Sequence, residues 1–148
     1  MEKIITYTAS NIRSINNKPI RVRADFALKL DIVNEVAKKH GFIVLVTSSG
    51  RTDTKVAGAI VTPAEKGNHL VYGAIDFNMK LISTGEYFNS VKLGDGTGVD
   101  EKFIAEATEK SGLRWGGKFK KKDAVHFDDN LNHANPDLWK QYYDEIHK

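Results

Sequence analysis

Cysteine is absent from this chain of 148 residues. There is then no disulfide framework and no thiolate nucleophile or ligand, so a metal site here has to be built from histidine and carboxylates. No run of about 18 apolar residues occurs, which argues against a membrane-inserted helix. Met1 to Ser10 lacks the charged-then-apolar pattern and small-residue cleavage site of a secretory leader. The expectation is therefore synthesis in the cytoplasm, with some other route to any target outside it. Repeats and low-complexity segments are missing. So is an interleaved basic and aromatic surface or any nucleic-acid motif, and no nucleic-acid partner is expected.

What is present is ordinary for a globular protein: 41% hydrophobic and 28% charged residues, a balance that does not indicate disorder. A single domain over residues 1–148 is expected, because a core of this size can bury roughly 70% of the unfolded surface. The formal net charge of +3 and pI of about 9.0 lean toward polyanionic partners, an anionic cell wall among them.

Met1 to Arg23 reads as an irregular lead-in with a turn at Asn16-Asn17-Lys18-Pro19. From Asp25 to His40, Phe26, Leu30, Val33, Val36 and Ala37 recur at helical spacing, and Gly41 is placed to end the helix. Phe42 to Thr47 is apolar and β-branched throughout, as in a central strand buried on both faces. Ser48 to Asp53 and Pro63 to Asn68 read as loops, with a weaker segment, Thr54 to Val61, between them. Leu70 to Phe77 predicts a second core strand with Gly73 inside it. Past a loop at Gly94 to Gly98, Asp100 is positioned to cap a helix bearing Phe103, Ile104 and Ala107 and ending at Gly112. A short strand is expected at Ala124 to Phe127, and a C-terminal helix at Asp137 to His147. The result is a mixed α/β domain with helices flanking a small sheet and long loops.

Three segments join a reactive polar residue to an apolar strand: Gly50-Arg51, His69 to Asp76, and Asp123 to His126. On a regular strand His69 and Asp76 would lie about 23 Å apart and on opposite faces. For both to face one cavity, the chain has to turn between them, and Gly73 is the residue able to take unusual backbone angles. Asp123 and His126 would span about 10 Å if extended, so a bend before His126 is needed as well.

In order and residue type these segments resemble the zinc peptidases that include D-alanyl-D-alanine carboxypeptidases, vancomycin-resistance dipeptidases and phage L-alanyl-D-glutamate endopeptidases. His69, Ala74 and Asp76 fit that family's Ser-x-His-x-x-Gly-x-Ala-x-Asp pattern, and Asp123 and His126 fit its later acid and histidine three residues apart. Gly50-Arg51-Thr52 is similar to its Gly-Tyr-Arg-Thr loop, and Trp115-Gly116-Gly117 to an element of its endopeptidase branch. Together the matches run from about Val46 to Phe127. The departures are Gly67 in place of the serine, Tyr72 in place of the first glycine with Gly73 one position late, and Lys118 where relatives often carry aspartate.

The resemblance implies an α+β fold of the hedgehog or D-Ala-D-Ala peptidase type, with a small, mostly antiparallel sheet flanked by helices. It implies Zn²⁺ on His69, Asp76 and His126, Asp123 as general base, and Arg51, Trp115 and Tyr72 facing the substrate. Two imidazoles and a carboxylate suit zinc and leave a fourth position for water. The implied activity is hydrolysis of peptidoglycan stem peptides by a monomer acting at the bacterial wall, as an L-alanyl-D-glutamate endopeptidase of the phage lysis kind. A D,D-carboxypeptidase or dipeptidase on the same scaffold is the nearest alternative, and a non-catalytic wall-binding or phage structural module the next. Asp128 and Asp129 compete with Asp123 for the base, while His133 is a decoy in an Asn/Pro turn. His40 and His147 sit at helix ends where a cation is favoured in any case. Lys118, Lys120, Lys121 and Lys122 form a basic run that either attracts anionic wall polymer or is a solvated loop.

Overall fold

The structure is a computed structural model that describes residues 1–51, 67–94 and 98–148. The readings placed on Thr52 to Lys66 and on Asp95 to Thr97 lie outside the described residues.

Residues Ile4–Tyr7 (β1) and Ile20–Arg23 (β3) form an antiparallel pair, with Ile12–Ser14 (β2) between them in sequence. The expected irregular lead-in is thus three short strands. Its alternation is too brief to show as a period, because each strand contributes only one to three buried side chains, such as Ile12, Ile20 and Val22.

Helix α1 spans Ala24–His40 and ends as expected on Gly41, whose φ of 74° is left-handed and whose N–H caps the carbonyls of Ala37 and Lys38. Its buried stripe, Phe26, Leu30, Val33, Val36 and Ala37, lies on the main core. Strand β4 (Phe42–Ser48) follows at once, with Phe42, Val44 and Val46 buried. The main sheet runs β2, β4, β5 (Ala74–Leu81), β8 (His126–Asp128), β7 (Arg114–Trp115), and β6 (Tyr87–Phe88) pairs with β5. Among the described residues only the β2 and β4 contact is parallel. The protein is therefore α+β with a mostly antiparallel sheet, as the resemblance implied.

Helix α2 (Val99–Ser111) packs Phe103, Ile104 and Ala107 into the same core, where the rings of Phe42 and Phe103 lie 5.4 Å apart. Asp100 is not its cap. Gly98 holds that position, and the fully buried Asp100 accepts the Gly94 N–H at 2.6 Å from within the first turn. Two short helices finish the chain, α3 (Leu131–Ala134) and α4 (Pro136–Ile146). Asn135 caps α4 by accepting the Leu138 N–H, with Pro136 pre-set for the first helical position. Trp139 of α4 packs on Leu70 and Val71, and His147 Nε2 bonds the Leu70 carbonyl at 2.9 Å. The C-terminal helix therefore braces the segment that carries His69.

Candidate metal centre

Strand β5 is the spine of the site. Asp76 lies opposite Ser48 on β4 and opposite His126 on β8. Directly opposed residues of an antiparallel pair share a face of the sheet, so strand register alone puts the Asp76 carboxylate beside the His126 ring. His69 arrives by a different route. The strand expected from Leu70 begins only at Ala74, because Asn68–Val71 is a 3-10 turn and Tyr72 then takes the left-handed conformation at φ 60°. That is the turn the seven-residue spacing required, and it brings His69 Nε2 to 3.1 Å from Asp76 Oδ1.

The left-handed residue is Tyr72, not the neighbouring Gly73. Tyr72 stands where the peptidase pattern has glycine, and a tyrosine is held in the left-handed conformation there at a steric cost. Its ring lies over Gly50, where a Cβ would come within 1.9 Å of it. Gly73 serves close approach instead: a Cβ there would lie 2.6 Å from an Asp129 carboxylate oxygen.

Both imidazoles are oriented by a second hydrogen bond. The Ser49 carbonyl can only accept, so His69 Nδ1, 2.7 Å from it, carries a proton, and Nε2, which faces Asp76, is the nitrogen placed to ligate. His126 Nδ1 lies 3.1 Å from Asp76 Oδ1 and Nε2 lies 2.7 Å from Asp128 Oδ2. Asp128 is itself gripped by Arg114, whose Nε and Nη2 donate to its two oxygens at 2.9 and 2.8 Å. The ligand atoms of His69, Asp76 and His126 all lie within 4.8 Å of one another. Two ligands on a tetrahedral zinc at about 2.0–2.1 Å stand about 3.3 Å apart. The two contacts of 3.1 Å to Asp76 are close to that edge, and the two nitrogens lie within 4.8 Å of each other, so the donor set suits the ion.

The charges agree with this geometry. Burial would raise the Asp76 carboxyl, but the His69 charge and hydrogen bonds from His126 and His69 hold it well below the usual carboxylate range. Burial would lower His126, yet its bonds to Asp128 and Asp76 lift it to about 9. In the metal-free protein at pH 7 the ring is therefore an imidazolium donating from both nitrogens. To ligate through Nδ1 it must give up that proton. Zinc uptake at pH 7 is expected to release a proton from His126, with apparent affinity increasing up to about pH 9. Calorimetry in buffers of different ionisation enthalpy reads this directly, and uptake without proton release would contradict the assignment.

Asp123 lies just before the turn at residues 124 and 125, so the bend required ahead of His126 is present and strand β8 starts at His126 rather than Ala124. Burial and the nearby Asp76 charge push the Asp123 carboxyl up, against the opposing His126 and His69 charges. The two competing acids are committed elsewhere: Asp128 to Arg114 and His126, and Asp129 to the buried Arg23. His133 on α3 and His40, paired with Glu106, lie outside the cluster.

Gly116 is where the backbone passes between Asp123 and His126. A Cβ there would meet the Asp123 carbonyl at 2.2 Å and His126 Cβ at 3.0 Å. Gly116→Ala is expected to cost about 1–3 kcal/mol by overpacking. An unchanged denaturant midpoint would show that this loop opens freely.

The remaining sequence candidates are placed as follows. Arg51 donates its N–H to the His69 carbonyl at 3.1 Å, and its Nη1 to Ser48 Oγ at 2.9 Å. Trp115 donates Nε1–H to the Ala124 carbonyl at 2.7 Å and packs against the core. Sequence reasoning missed three residues: Asp128 as the anchor of His126, Arg114 as the anchor of Asp128, and Phe119. The Phe119 ring lies 5.6 Å from the His126 ring and under the Arg114 guanidinium at 4.4 Å. The Arg114 and Asp128 register on neighbouring strands is a pairing that no local motif announces.

Residues 62–129 match the model of a family described as D-alanyl-D-alanine carboxypeptidase. The segment contains His69, Asp76, Trp115, Asp123 and His126, so the family read from the residues is found again by this comparison. No curated protein matches the chain.

Proposed function

We propose, from the match of residues 62–129 to the D-alanyl-D-alanine carboxypeptidase family, that this chain is a zinc peptidase that hydrolyses peptidoglycan stem peptides at the bacterial wall, as an L-alanyl-D-glutamate endopeptidase. The observation that carries it is the convergence of His69, Asp76 and His126 on one face of the sheet, beside Asp123. His69 through Nε2, Asp76 through Oδ1 and His126 through Nδ1 would hold the ion. When bound, zinc would supply Lewis-acid polarisation of the scissile carbonyl and would acidify a water molecule.

The chain's own residues supply the rest. Asp123 accepts the proton of the attacking water and returns it to the leaving amine, a task suited to a half-buried carboxylate with a raised pKa. Arg51 presents a guanidinium fork, next in sequence to the glycine under the Tyr72 ring, for a stem-peptide carboxylate. Phe119 stands against the His126 ring and narrows solvent access from that side.

The endopeptidase reading rests on the Trp115-Gly116-Gly117 element. The description of the matching family favours a second reading, release of a terminal D-alanine. Purified walls incubated with the zinc-loaded protein separate the two: new L-alanine carboxyl termini mark the endopeptidase, and free D-alanine the carboxypeptidase. Wall binding with no cleavage, or cleavage that persists in His126→Ala, would refute both.

A further inference from the structure

Four of the five residues from 118 to 122 are lysine, and all four are exposed. Among the described residues none of them pairs with a carboxylate. Lys38, Lys39, Lys92, Lys110, Lys140 and Lys148 each have one, and the other lysines without one, such as Lys3, Lys18, Lys29, Lys80 and Lys102, are spread singly along the chain. The loop is held in place rather than trailing in solvent. Gly116 O accepts both the Phe119 N–H at 3.1 Å and the Asp123 N–H at 2.8 Å, which closes the loop at its base. The one apolar residue within it, Phe119, is pinned between the Arg114 guanidinium and the His126 ring. With Phe119 turned inward, the lysines are left on the rim of the metal centre.

We propose that this loop is a docking surface for an anionic polymer of the cell wall, and that it holds the wall against the site. The proposal rests on the peptidase reading for its target. The argument is one of charge and form. These four charges exceed the whole net charge of +3, so the loop makes the protein cationic. Ammonium groups on flexible stems are point charges rather than planar forks. Several of them crowded on a short loop repel one another and match a ligand with repeated phosphates or carboxylates better than one small anion. A nucleic acid fits less well: sequence-tolerant strand binding uses aromatic faces for stacking, and the loop's only ring already has the Arg114 guanidinium over one face and the His126 ring tilted against it.

The test is co-sedimentation of the full-length, zinc-loaded protein with purified walls over a range of salt, in an Asp123→Asn background so that the walls stay intact. The partner variant adds K118Q, K120Q, K121Q and K122Q, with thermal unfolding as the check that it folds. Binding is expected to weaken by about tenfold or more at low salt, with a shallower salt dependence. If walls stripped of phosphodiester polymer bind the unsubstituted loop as poorly as they bind the glutamine loop, the anions are phosphates. If stripped walls still discriminate the two loops, the anions are the wall's carboxylates. Equal affinity and equal salt dependence of the two loops would overturn the proposal, as would tighter binding of a short DNA duplex than of walls. Because binding is read without turnover, its failure is separate from a failure of the peptidase assignment.

Discussion

Asp123→Asn is expected to lower kcat on wall substrate by about 10²–10⁴, the range for loss of a general acid-base group, while zinc still binds. The reasoning is positional. The cluster able to hold the ion comprises His69, Asp76 and His126, and Asp123 is outside it. Yet Asp123 is close enough that Asp76, His126 and His69 all act on its charge. Removing a ligand would lower activity and zinc affinity together, whereas removing the base lowers activity alone. The pH profile adds a second test. A general base works when ionised, so the rate holds above its pKa and is lost as pH falls through it. Burial and the Asp76 charge move that point upward. The acid limb due to Asp123 should therefore vanish in Asp123→Asn. A variant that keeps the wild-type rate, or that loses zinc along with activity, would remove Asp123 from the role of base.

The parts of this site that were legible in the sequence are those that chemistry makes local. His69, Asp76 and His126 were picked out by the resemblance to the zinc peptidases, while strand spacing by itself demanded only a turn between the first two. Helix α1 was legible because a 17-residue amphipathic stripe closed by Gly41 leaves little choice of period. Strand β5 was misjudged at its start. Leu70 and Val71 are apolar enough for a strand but are buried under Trp139 of α4, a tertiary contact invisible to a local window. Gly73 was expected to turn the chain, on propensity, yet the left-handed residue is Tyr72. Gly73 is needed instead for the close approach of the Asp129 carboxylate. The hydrogen bonds behind the ligands were illegible for the same reason: Ser49, just past β4, meets His69 on the 3-10 turn, and Arg114 meets Asp128 across a strand pairing, contacts that only the folded chain defines.

Asp128→Ala is expected to weaken zinc affinity by about 10–100-fold, the usual effect of removing the group that orients a ligating histidine. Asp128 is 2% exposed, and among the described residues it is the group that holds His126 Nε2 while Nδ1 faces Asp76. Without it the ring is free to rotate, and Arg114 loses a bidentate partner. Because Arg114 is 30% exposed and can turn to water, the stability cost should sit near the low end for a broken buried pair, about 3 kcal/mol. The pH dependence follows from the two shifts in the metal-free protein. Burial opposes ionisation of Asp128, but hydrogen bonds from His126 and Arg114 depress its pKa. Its contribution is thus present above the unfolded carboxylate value of about 3.9 and lost as pH falls through the folded one. His126 is raised to about 9, so its contribution is complete below the unfolded value of about 6.5 and lost as pH rises through about 9. The penalty of Asp128→Ala on denaturant unfolding of the metal-free protein should therefore be larger at pH 5.5 than at pH 9.5. Asp128→Asn, which keeps an acceptor but not the charge, should fall between wild type and alanine in zinc affinity. An alanine variant that binds zinc as tightly as wild type, with an equal stability penalty at both pH values, would show that His126 is held by the sheet register alone.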